Sequence, residues 1–252
     1  MPRILLLNPN TTSQMTELMM AAGQAVASPG TALVPLTAPR GFPYISTRAE
    51  AQIGGAVVLE MLAEVHREVD AAIVAAFGDP GLLGARELFD IPVIGVSEAA
   101  MLTACMLGKR FAVVTFARGL CPWFRDCVDL HGIGGRCAGI VALDGTFASI
   151  EEVQEQNEDR LVRLANETVR DTGADVLIFA GAPLAGLANK VVDRLPVPIV
   201  DPVAAAVKQA ELLVALTPRK AVGGSFARPA SKPSIGLPVP LADRMSHADA
   251  TS

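Results

Sequence analysis

Aromatic and charged side chains are both scarce in this chain. Phe, Trp and Tyr make up 4% of its 252 residues, with one Trp and one Tyr, and charged residues make up 19%. Hydrophobic residues reach 51%, which is enough for a folded core and excludes a disordered chain. An excess of positive charge is also absent, since 21 Lys and Arg face 26 Asp and Glu. Proteins that bind nucleic acid by neutralising phosphates have the opposite sign, so we expect no nucleic-acid partner.

Long uninterrupted hydrophobic runs are missing as well. The longest candidate, residues 91–107, carries Glu98 within it, whereas a membrane-spanning helix needs about 18 or more apolar residues. Near the N-terminus the apolar run at residues 4–7 ends at Asn8, which is too short for the hydrophobic part of a signal peptide. We therefore expect a cytoplasmic protein that makes no membrane contact.

Groups that bind metals are few and scattered. The four cysteines, in a chain without an export signal, are expected to be reduced thiols rather than a disulfide framework. Cys121 and Cys127 have five residues between them, which matches no common zinc-binding spacing. The three histidines occur singly, at His66, His131 and His247. We therefore expect no metal site.

Short β-rich runs alternate along the chain with helical stretches, a pattern typical of parallel sheets with crossover helices. The second four runs repeat the first four at an offset of 104 to 107 residues. Before one helical stretch, Ser149 and Glu152 have the spacing of a capping box. The eight runs are residues 3–7, 32–36, 71–76, 92–96, 111–116, 138–143, 175–180 and 197–200.

This repeat predicts an α/β fold with two pseudo-symmetric, doubly wound lobes, at residues 1–104 and 105–216, each with a four-stranded parallel sheet. Ligands of such sheets bind beyond the carboxyl ends of the strands, so we expect an active-site cleft between the lobes. Residues 217–252 break the pattern with five prolines and three glycines. This extended tail is basic, and it either lies along its own or a neighbouring subunit or is loose.

Four motifs follow predicted strands in this frame. Residues 8–12 read Asn-Pro-Asn-Thr-Thr, residues 77–82 Phe-Gly-Asp-Pro-Gly-Leu, residues 98–100 Glu-Ala-Ala, and residues 201–207 Asp-Pro-Val-Ala-Ala-Ala-Val. One Asp-Pro-Gly turn is common, but four motifs in this order on a duplicated frame are specific. Together they resemble the hydantoin racemase branch of the aspartate/glutamate racemase superfamily, and the resemblance covers nearly the whole chain.

The resemblance implies an enzyme that uses no cofactor. Two cysteines face each other across the cleft in such an enzyme, and one thiolate removes the proton beside a carbonyl while the other thiol delivers one from the opposite face. The corresponding positions precede Phe77 and Ala182, and they hold Ala76 and Gly181. One positioned acid or base contributes about 10² to 10⁴ in rate, so losing both costs roughly 5 to 11 kcal/mol of barrier lowering. The two-thiol mechanism is therefore absent here.

Three explanations of this replacement are open. The chain has diverged naturally to another reaction, it binds a ligand without turnover, or the two positions were replaced by engineering. Engineering would predict that Ala76→Cys together with Gly181→Cys restores racemisation. A lyase or decarboxylase that uses another acid or base belongs to the first of these explanations.

Three ionisable residues near strand ends are candidates for other proton-transfer chemistry. Glu98 follows the fourth strand, where a half-buried carboxylate can act as a general base or can be an ordinary acid in the first turn of a helix. Asp79 lies in the turn after the third strand and can act in the site or cap the next helix. Cys121 follows the fifth strand and is a candidate to replace a lost thiol.

Substrate contacts are expected at the same strand ends. Asn8 and Asn10 can hold a ureide or a carboxylate, and the simpler alternative is a turn in which Asn10 or Thr11 caps the next helix. Arg118 can receive a carboxylate, and backbone N–H groups around Gly78 can bind a ligand oxygen. The candidate substrate-binding residues are Asn8, Asn10, Thr11, Phe77, Gly78, Thr115, Arg118, Ala182 and Asp201.

The segment after the second strand, with Tyr44, Ser46, Thr47 and Arg48, is either a specificity loop or lid, or an ordinary surface loop. The resulting prediction is a racemase-family protein that acts on a small carbonyl compound, of amino-acid, hydantoin or allantoin type, by cofactor-independent proton transfer. The alternatives are a binding protein without catalysis and a lyase or decarboxylase. We expect a small-molecule substrate and a homo-oligomer.

Overall fold

The computed structural model describes residues 1–144 and 153–251. Its strands form two parallel four-stranded sheets, in the order β2-β1-β3-β4 and β6-β5-β7-β8. The strands are β1 (Arg3–Asn8), β2 (Ala32–Thr37), β3 (Ala71–Val74), β4 (Val93–Gly95), β5 (Phe111–Thr115), β6 (Cys137–Ala142), β7 (Val176–Ala180) and β8 (Ile199–Val200).

Helices cover both faces of each sheet, which explains why the central strands β1, β3, β5 and β7 are almost entirely buried and apolar. Polar side chains occur in these strands mainly at the carboxyl ends, as Asn8 and Thr115. The helices are α1 (Ser13–Gln24), α2 (Arg48–Val65), α3 (Leu82–Leu88), α4 (Val96–Leu107), α5 (Cys121–Leu130), α6 (Val153–Thr172), α7 (Leu187–Val191), α8 (Pro202–Leu216) and α9 (Val239–Ser246).

The last helix of each repeat packs against the other repeat. Helix α4 contacts α8 and strand β7 of the second sheet, and α8 contacts β3 and β4 of the first. Buried apolar side chains of both lobes consequently form one continuous core. Residue 104, where the sequence places the boundary between the lobes, lies inside α4.

The two-lobed fold and the eight strands predicted from the sequence are confirmed. Helix α1 begins after Thr12, so the prediction that Asn10 or Thr11 caps it is wrong. The Asn10 Oδ1 instead accepts a hydrogen bond from the Thr12 backbone N–H at 3.0 Å, which closes the turn before the helix. The capping box predicted at Ser149 and Glu152 lies outside the described residues.

The C-terminal segment lies on the first lobe of its own chain. Helix α9 packs against α2, and the Arg244 side chain, 4% exposed, is its anchor. The Arg244 guanidinium donates to the Leu88 carbonyl oxygen and pairs with Asp90 and Asp249. Within residues 1–144 and 153–251, the structure contains no helix of the length and apolar character that a bilayer crossing requires.

Candidate functional site

A cavity lies between the lobes, beyond the carboxyl ends of the central strands. Its enclosed volume is about 20 Å³, within about 300 Å³ of non-atom space that includes the solvent at its mouth. We call it the interlobe cavity. Its lining residues are Asn10, Tyr44, Ile45, Ala76, Phe77, Leu120, Trp123, Phe124, Gly181 and Ala182.

Ala76 and Gly181 contribute to the cavity from opposite lobes. Ala76 follows β3 of the first sheet, and Gly181 follows β7 of the second. Both positions that the resemblance assigns to the paired thiols therefore border one cavity, and neither side chain can carry a proton.

The surroundings of Gly181 leave little room for a side chain. Its φ of +113° lies in a region that L residues with a side chain rarely adopt. A Cβ at this position would lie 2.7 Å from a ring carbon of Phe116. Phe116 is buried directly after β5, so its ring occupies the space that a second thiol would need.

The loop after β3 is fixed by contacts on both sides. Gly78 has a φ of +123°, and a Cβ there would lie 2.1 Å from the Trp123 ring, so the indole of the second lobe packs directly on this backbone. On the other side, the Asp79 carboxylate accepts hydrogen bonds from the Ser97 N–H at 2.9 Å and the Glu98 N–H at 2.8 Å, and from the Ser97 hydroxyl. The candidate base Asp79 thus holds the loop to the first turn of α4 and is absent from the lining of the interlobe cavity.

Glu98 lies outside the cavity lining as well, in an ion pair. The Arg86 guanidinium donates to both of its carboxylate oxygens, at 2.9 Å for Nη1 to Oε1. His131 of the second lobe lies between the two acids, with Nδ1 3.4 Å from Glu98 Oε1 and Nε2 3.7 Å from Asp79 Oδ2. The Nε2 atom is buried and has no hydrogen-bond partner among the described residues.

The candidates after β5 also lie away from the cavity lining. Cys121 is the first residue of α5, and burial raises the pKa of its thiol although the Arg118 charge acts in the opposite direction. Arg118 is exposed and pairs with Asp144, with a distance of 3.1 Å between Nε and Oδ1. The Thr115 hydroxyl donates to the Ala180 carbonyl oxygen at 2.8 Å and so joins β5 to β7.

Two further candidates hold backbone turns. Asn8 is fully buried, and its Nδ2 donates to the Thr12 carbonyl oxygen, the Thr16 hydroxyl and Asn10 Oδ1. Asp201 caps α8 by accepting the N–H groups of its first turn, and its Oδ2 accepts the Gly186 N–H at 2.6 Å. Burial raises the pKa of the Asp201 carboxyl, against the effect of these backbone hydrogen bonds.

Asn10, Phe77 and Ala182 are the candidates for substrate binding that do line the cavity. Asn10 Oδ1 accepts hydrogen bonds from Asn8 and Thr12, while its Nδ2 donates none within the described part of the chain. Gly78 directly follows Phe77 in the same loop. The Thr11 N–H donates to the Phe42 carbonyl oxygen at 2.9 Å.

Sequence reasoning missed Ile45, Leu120, Trp123 and Phe124 of the cavity wall, and it named Tyr44 only as part of a specificity loop, a lid or a surface loop. Tyr44 and Ile45 come from the loop between β2 and α2, and Leu120, Trp123 and Phe124 come from the start of α5. The scarcity of aromatic residues was a usable signal, since the only Trp and the only Tyr of the sequence both line this cavity. The Phe77 and Phe124 rings pack with centroids 4.6 Å apart.

The chemistry available inside the cavity is limited. Among its described lining residues there is no carboxylate, thiol, imidazole or amine, and the one ionisable side chain is Tyr44. Burial, followed by the Glu50 charge, raises the pKa of the Tyr44 phenol, which is therefore protonated at neutral pH. The arrangement can hold a small apolar or amide-bearing molecule and offers no pair of bases on opposite faces.

Comparison with known proteins agrees with this architecture. The model of the Asp/Glu/Hydantoin racemase family matches residues 4–210. A hydantoin racemase of Paenarthrobacter aurescens is 32% identical over 232 residues, which cover 91% of this chain and 98% of that protein.

Two solved structures extend the likeness to the whole fold. An allantoin racemase from Klebsiella pneumoniae superposes with a TM-score of 0.90 at 34% identity, over 96% of this chain and 99% of that one. An allantoin racemase from Pseudomonas fluorescens gives 0.86, also at 34% identity, over 93% and 100%. The resemblance seen in the sequence motifs is thereby confirmed, and this chain belongs to the Asp/Glu/Hydantoin racemase family.

Proposed function

We propose that this family member binds a small carbonyl compound of the hydantoin or allantoin class in the interlobe cavity, and that it does not racemise this compound with paired side-chain bases. One observation carries the proposal. The two positions that face the cavity from opposite lobes are Ala76 and Gly181, and neither side chain can carry a proton. Relatives named as hydantoin and allantoin racemases supply the ligand class.

The lining supports a neutral amide or ureide over a free amino acid. A carboxylate or an ammonium group moved from water into an aromatic cavity needs a charged partner, and the described lining has none. Cyclic amides need only hydrogen-bond partners for their C=O and N–H groups, and the Asn10 side chain can supply these. The flat rings of such compounds also suit a wall of Phe77, Trp123 and Phe124.

A second candidate function is cofactor-independent proton transfer by another acid or base, including lyase or decarboxylase chemistry through Glu98, Asp79 or Cys121. One observation favours it. The buried His131 Nε2 has no partner within the described residues and lies 3.7 Å from Asp79, directly behind the loop that lines the cavity.

NMR in D₂O distinguishes the two functions. The purified protein is mixed with 5-substituted hydantoins, allantoin, aspartate, glutamate and arylmalonates, while α-proton exchange, substrate loss and ligand line shifts are followed together. Binding of hydantoins or allantoin without exchange or loss is the expected result. Exchange that disappears in His131→Asn or Asp79→Asn would instead establish the second function. Absence of binding by every compound would refute the first proposal.

A matched pair of variants locates the binding. Ala76→Leu fills the cavity from the first lobe and is expected to abolish binding, because its added atoms occupy the ligand volume. Ala21→Leu places the same added atoms on the exposed face of α1 and is expected to leave binding unchanged. Equal binding by both variants would show that the ligand sits elsewhere.

We also propose that the protein is a cytoplasmic homo-oligomer. The outer faces of α4 and α8 expose several large apolar side chains, an arrangement found at subunit interfaces. They are Leu102, Met106, Leu107, Leu212 and Leu216. The described cysteines are all free thiols, which suits a reducing compartment. Light scattering after size exclusion tests the oligomer, and a monomeric mass would refute it.

A further inference from the structure

Tyr44 is the one ionisable side chain among the described residues that line the interlobe cavity. It lies in the loop between β2 and α2, and hydrogen bonds to the turn after β1 hold this loop over the cavity. The Thr11 N–H donates to the Phe42 carbonyl oxygen at 2.9 Å, and the Thr12 hydroxyl donates to the Pro43 carbonyl oxygen at 2.7 Å. The phenol is therefore presented by a fixed backbone.

The Tyr44 ring reaches the side of the cavity from which the second thiol is missing. Its centroid lies 5.8 Å from that of Phe116, and the two ring planes make an angle of 57°. Phe116 in turn fills the space beside Gly181. The Tyr44 phenol thus lies beside the ring that fills the space next to Gly181, where the resemblance places one of the two thiols, and it is the one group of this pair that has a polar atom.

The hydroxyl of Tyr44 has the properties of a donor. Burial and then the charge of Glu50 raise the pKa of the phenol above its ordinary value of about 10, so it keeps its proton and cannot serve as a base. No hydrogen bond to this hydroxyl is found in the part of the chain that the structure describes. Tyr44 is partly exposed, so its hydroxyl can donate to an acceptor on a bound ligand.

Asn10 provides a second donor on the same cavity through its Nδ2. Two uncharged donors in an aromatic cavity select a molecule that presents carbonyl oxygens. We infer that Tyr44 is the specificity-determining residue of the interlobe cavity and donates a hydrogen bond to a carbonyl oxygen of a bound cyclic amide or ureide. This inference rests on the proposed function, because it concerns the ligand that the proposal names.

The sequence makes a ligand-free test direct. Tyr44 is the only tyrosine in the chain, so tyrosinate absorbance of the folded protein reports its phenol alone. The absorbance is measured while the pH is raised, with circular dichroism to verify the fold. We expect a smaller tyrosinate fraction in the folded protein at about pH 10.5 than in the unfolded protein, where an ordinary phenol is more than half ionised. Ionisation near the ordinary value would overturn the inference whatever the ligand.

The ligand arm uses Tyr44→Phe with hydantoin and allantoin at neutral pH. Loss of one hydroxyl from a well-formed hydrogen bond is expected to weaken binding about 5- to 10-fold. Binding to the wild type should also shift the tyrosine absorption band, a signal that a purely structural role would not give. Thr172→Val is the matched control, since it removes a hydroxyl that bonds within α6 and is expected to bind as the wild type does.

The outcomes separate this inference from the proposed function. Equal affinity of the wild type and Tyr44→Phe for both ligands would overturn the role of Tyr44 and leave the proposed function standing. Failure of the wild type to bind either ligand would refute the proposed function, and the inference would fall with it. Weaker binding by Tyr44→Phe together with the band shift supports both.

Discussion

A cysteine at residue 181 would not by itself rebuild a two-thiol site, because both the backbone of Gly181 and the ring of Phe116 oppose it. A cysteine at residue 181 must adopt a φ near +113° and displace a buried phenyl ring that would lie 2.7 Å from its Cβ. We expect Gly181→Cys to lower the free energy of unfolding by about 1 to 4 kcal/mol, from backbone strain and overpacking. Denaturant unfolding measures this, and Ala76→Cys is the control, because position 76 has an ordinary backbone and open space beside it.

The same geometry predicts that the double replacement Ala76→Cys with Gly181→Cys does not restore racemisation. The second thiol would be displaced by Phe116, and misplacement of a reacting group by about 1 Å can cost roughly 100-fold in rate. Adding Phe116→Leu should make room and raise any proton exchange above that of the double variant. Full racemisation by the double variant alone would contradict this expectation and would favour the explanation by engineering.

The sequence predicts the location of a residue when strand order alone determines it. It does not when the location depends on contacts with other helices or with the other lobe. The repeat and its motifs placed Ala76, Gly181 and Phe77 correctly at the cavity, because strand ends of parallel sheets converge. Glu98 could not be placed from the sequence, because its partner Arg86 comes from another helix and its neighbour His131 from the other lobe. The role of Trp123 depends on packing against Gly78, a contact that no spacing in the sequence reveals.

At the scale of elements, the Asp249 carboxylate joins several basic side chains that hold the C-terminal segment in place. Asp249 pairs with Arg244 and Arg228 of the segment and lies 3.8 Å from Arg67 of the first lobe. Burial alone would raise the pKa of Asp249, but the hydrogen bonds and charges of Arg244 and Arg228 outweigh it and lower the pKa to about 2.

Because the pKa of Asp249 is lower in the folded protein, the stability of the C-terminal segment depends on pH. A carboxyl whose pKa is lower in the folded protein than its unfolded value of about 3.9 stabilises the fold above that value, and the contribution is lost as pH falls toward 2. We expect hydrogen exchange and proteolysis of residues 217–251 to increase between pH 4 and pH 2 before the lobes unfold. In Asp249→Asn, hydrogen exchange and proteolysis of residues 217–251 should already be increased at neutral pH. An unchanged tail in this variant would contradict the expectation.

Helices α4 and α8 each pack against the sheet of the other lobe, and prediction of the elements alone does not reveal this packing. The alternation of strands and helical stretches is consistent with a helix after β4 and another after β8, and the high apolar content of α4 and α8 agrees with burial on two sides. The sequence does not show which sheet each helix covers, because either sheet offers an apolar face. The tail was equally open from sequence, because its basic charge fits many acidic surfaces, and its place depends on the buried Arg244.

For the whole molecule, the lobes are joined on one side by α4 and α8 and at the cavity by aromatic packing and an exposed ion pair. On one side α4 and α8 share a continuous core, and the Ser28 N–H and hydroxyl bind the Glu211 carboxylate at 2.7 and 2.9 Å. Near the cavity, the contacts include the exposed pair between Arg48 of α2 and Asp126 of α5. Trp123 packs on Gly78, and the Phe77 and Phe124 rings pack across the same side. Because the ion pair on this side is exposed, we predict that opening of the lobes occurs at the cavity, about the α4 and α8 side.

Opening of this kind can be measured without a ligand, because Trp123 is the only tryptophan and is 7% exposed in the closed cavity. Arg48→Gln removes the exposed ion pair across the cavity and is expected to raise acrylamide quenching of Trp123 about two- to fivefold, the range that a surface ion pair can supply. Added salt should raise quenching in the wild type and have less effect in the variant, since it screens the same pair. Arg40→Gln is the matched control, because Arg40 pairs with Glu60 inside the first lobe. Equal quenching in both variants would show that Arg48 and Asp126 do not restrain the lobes.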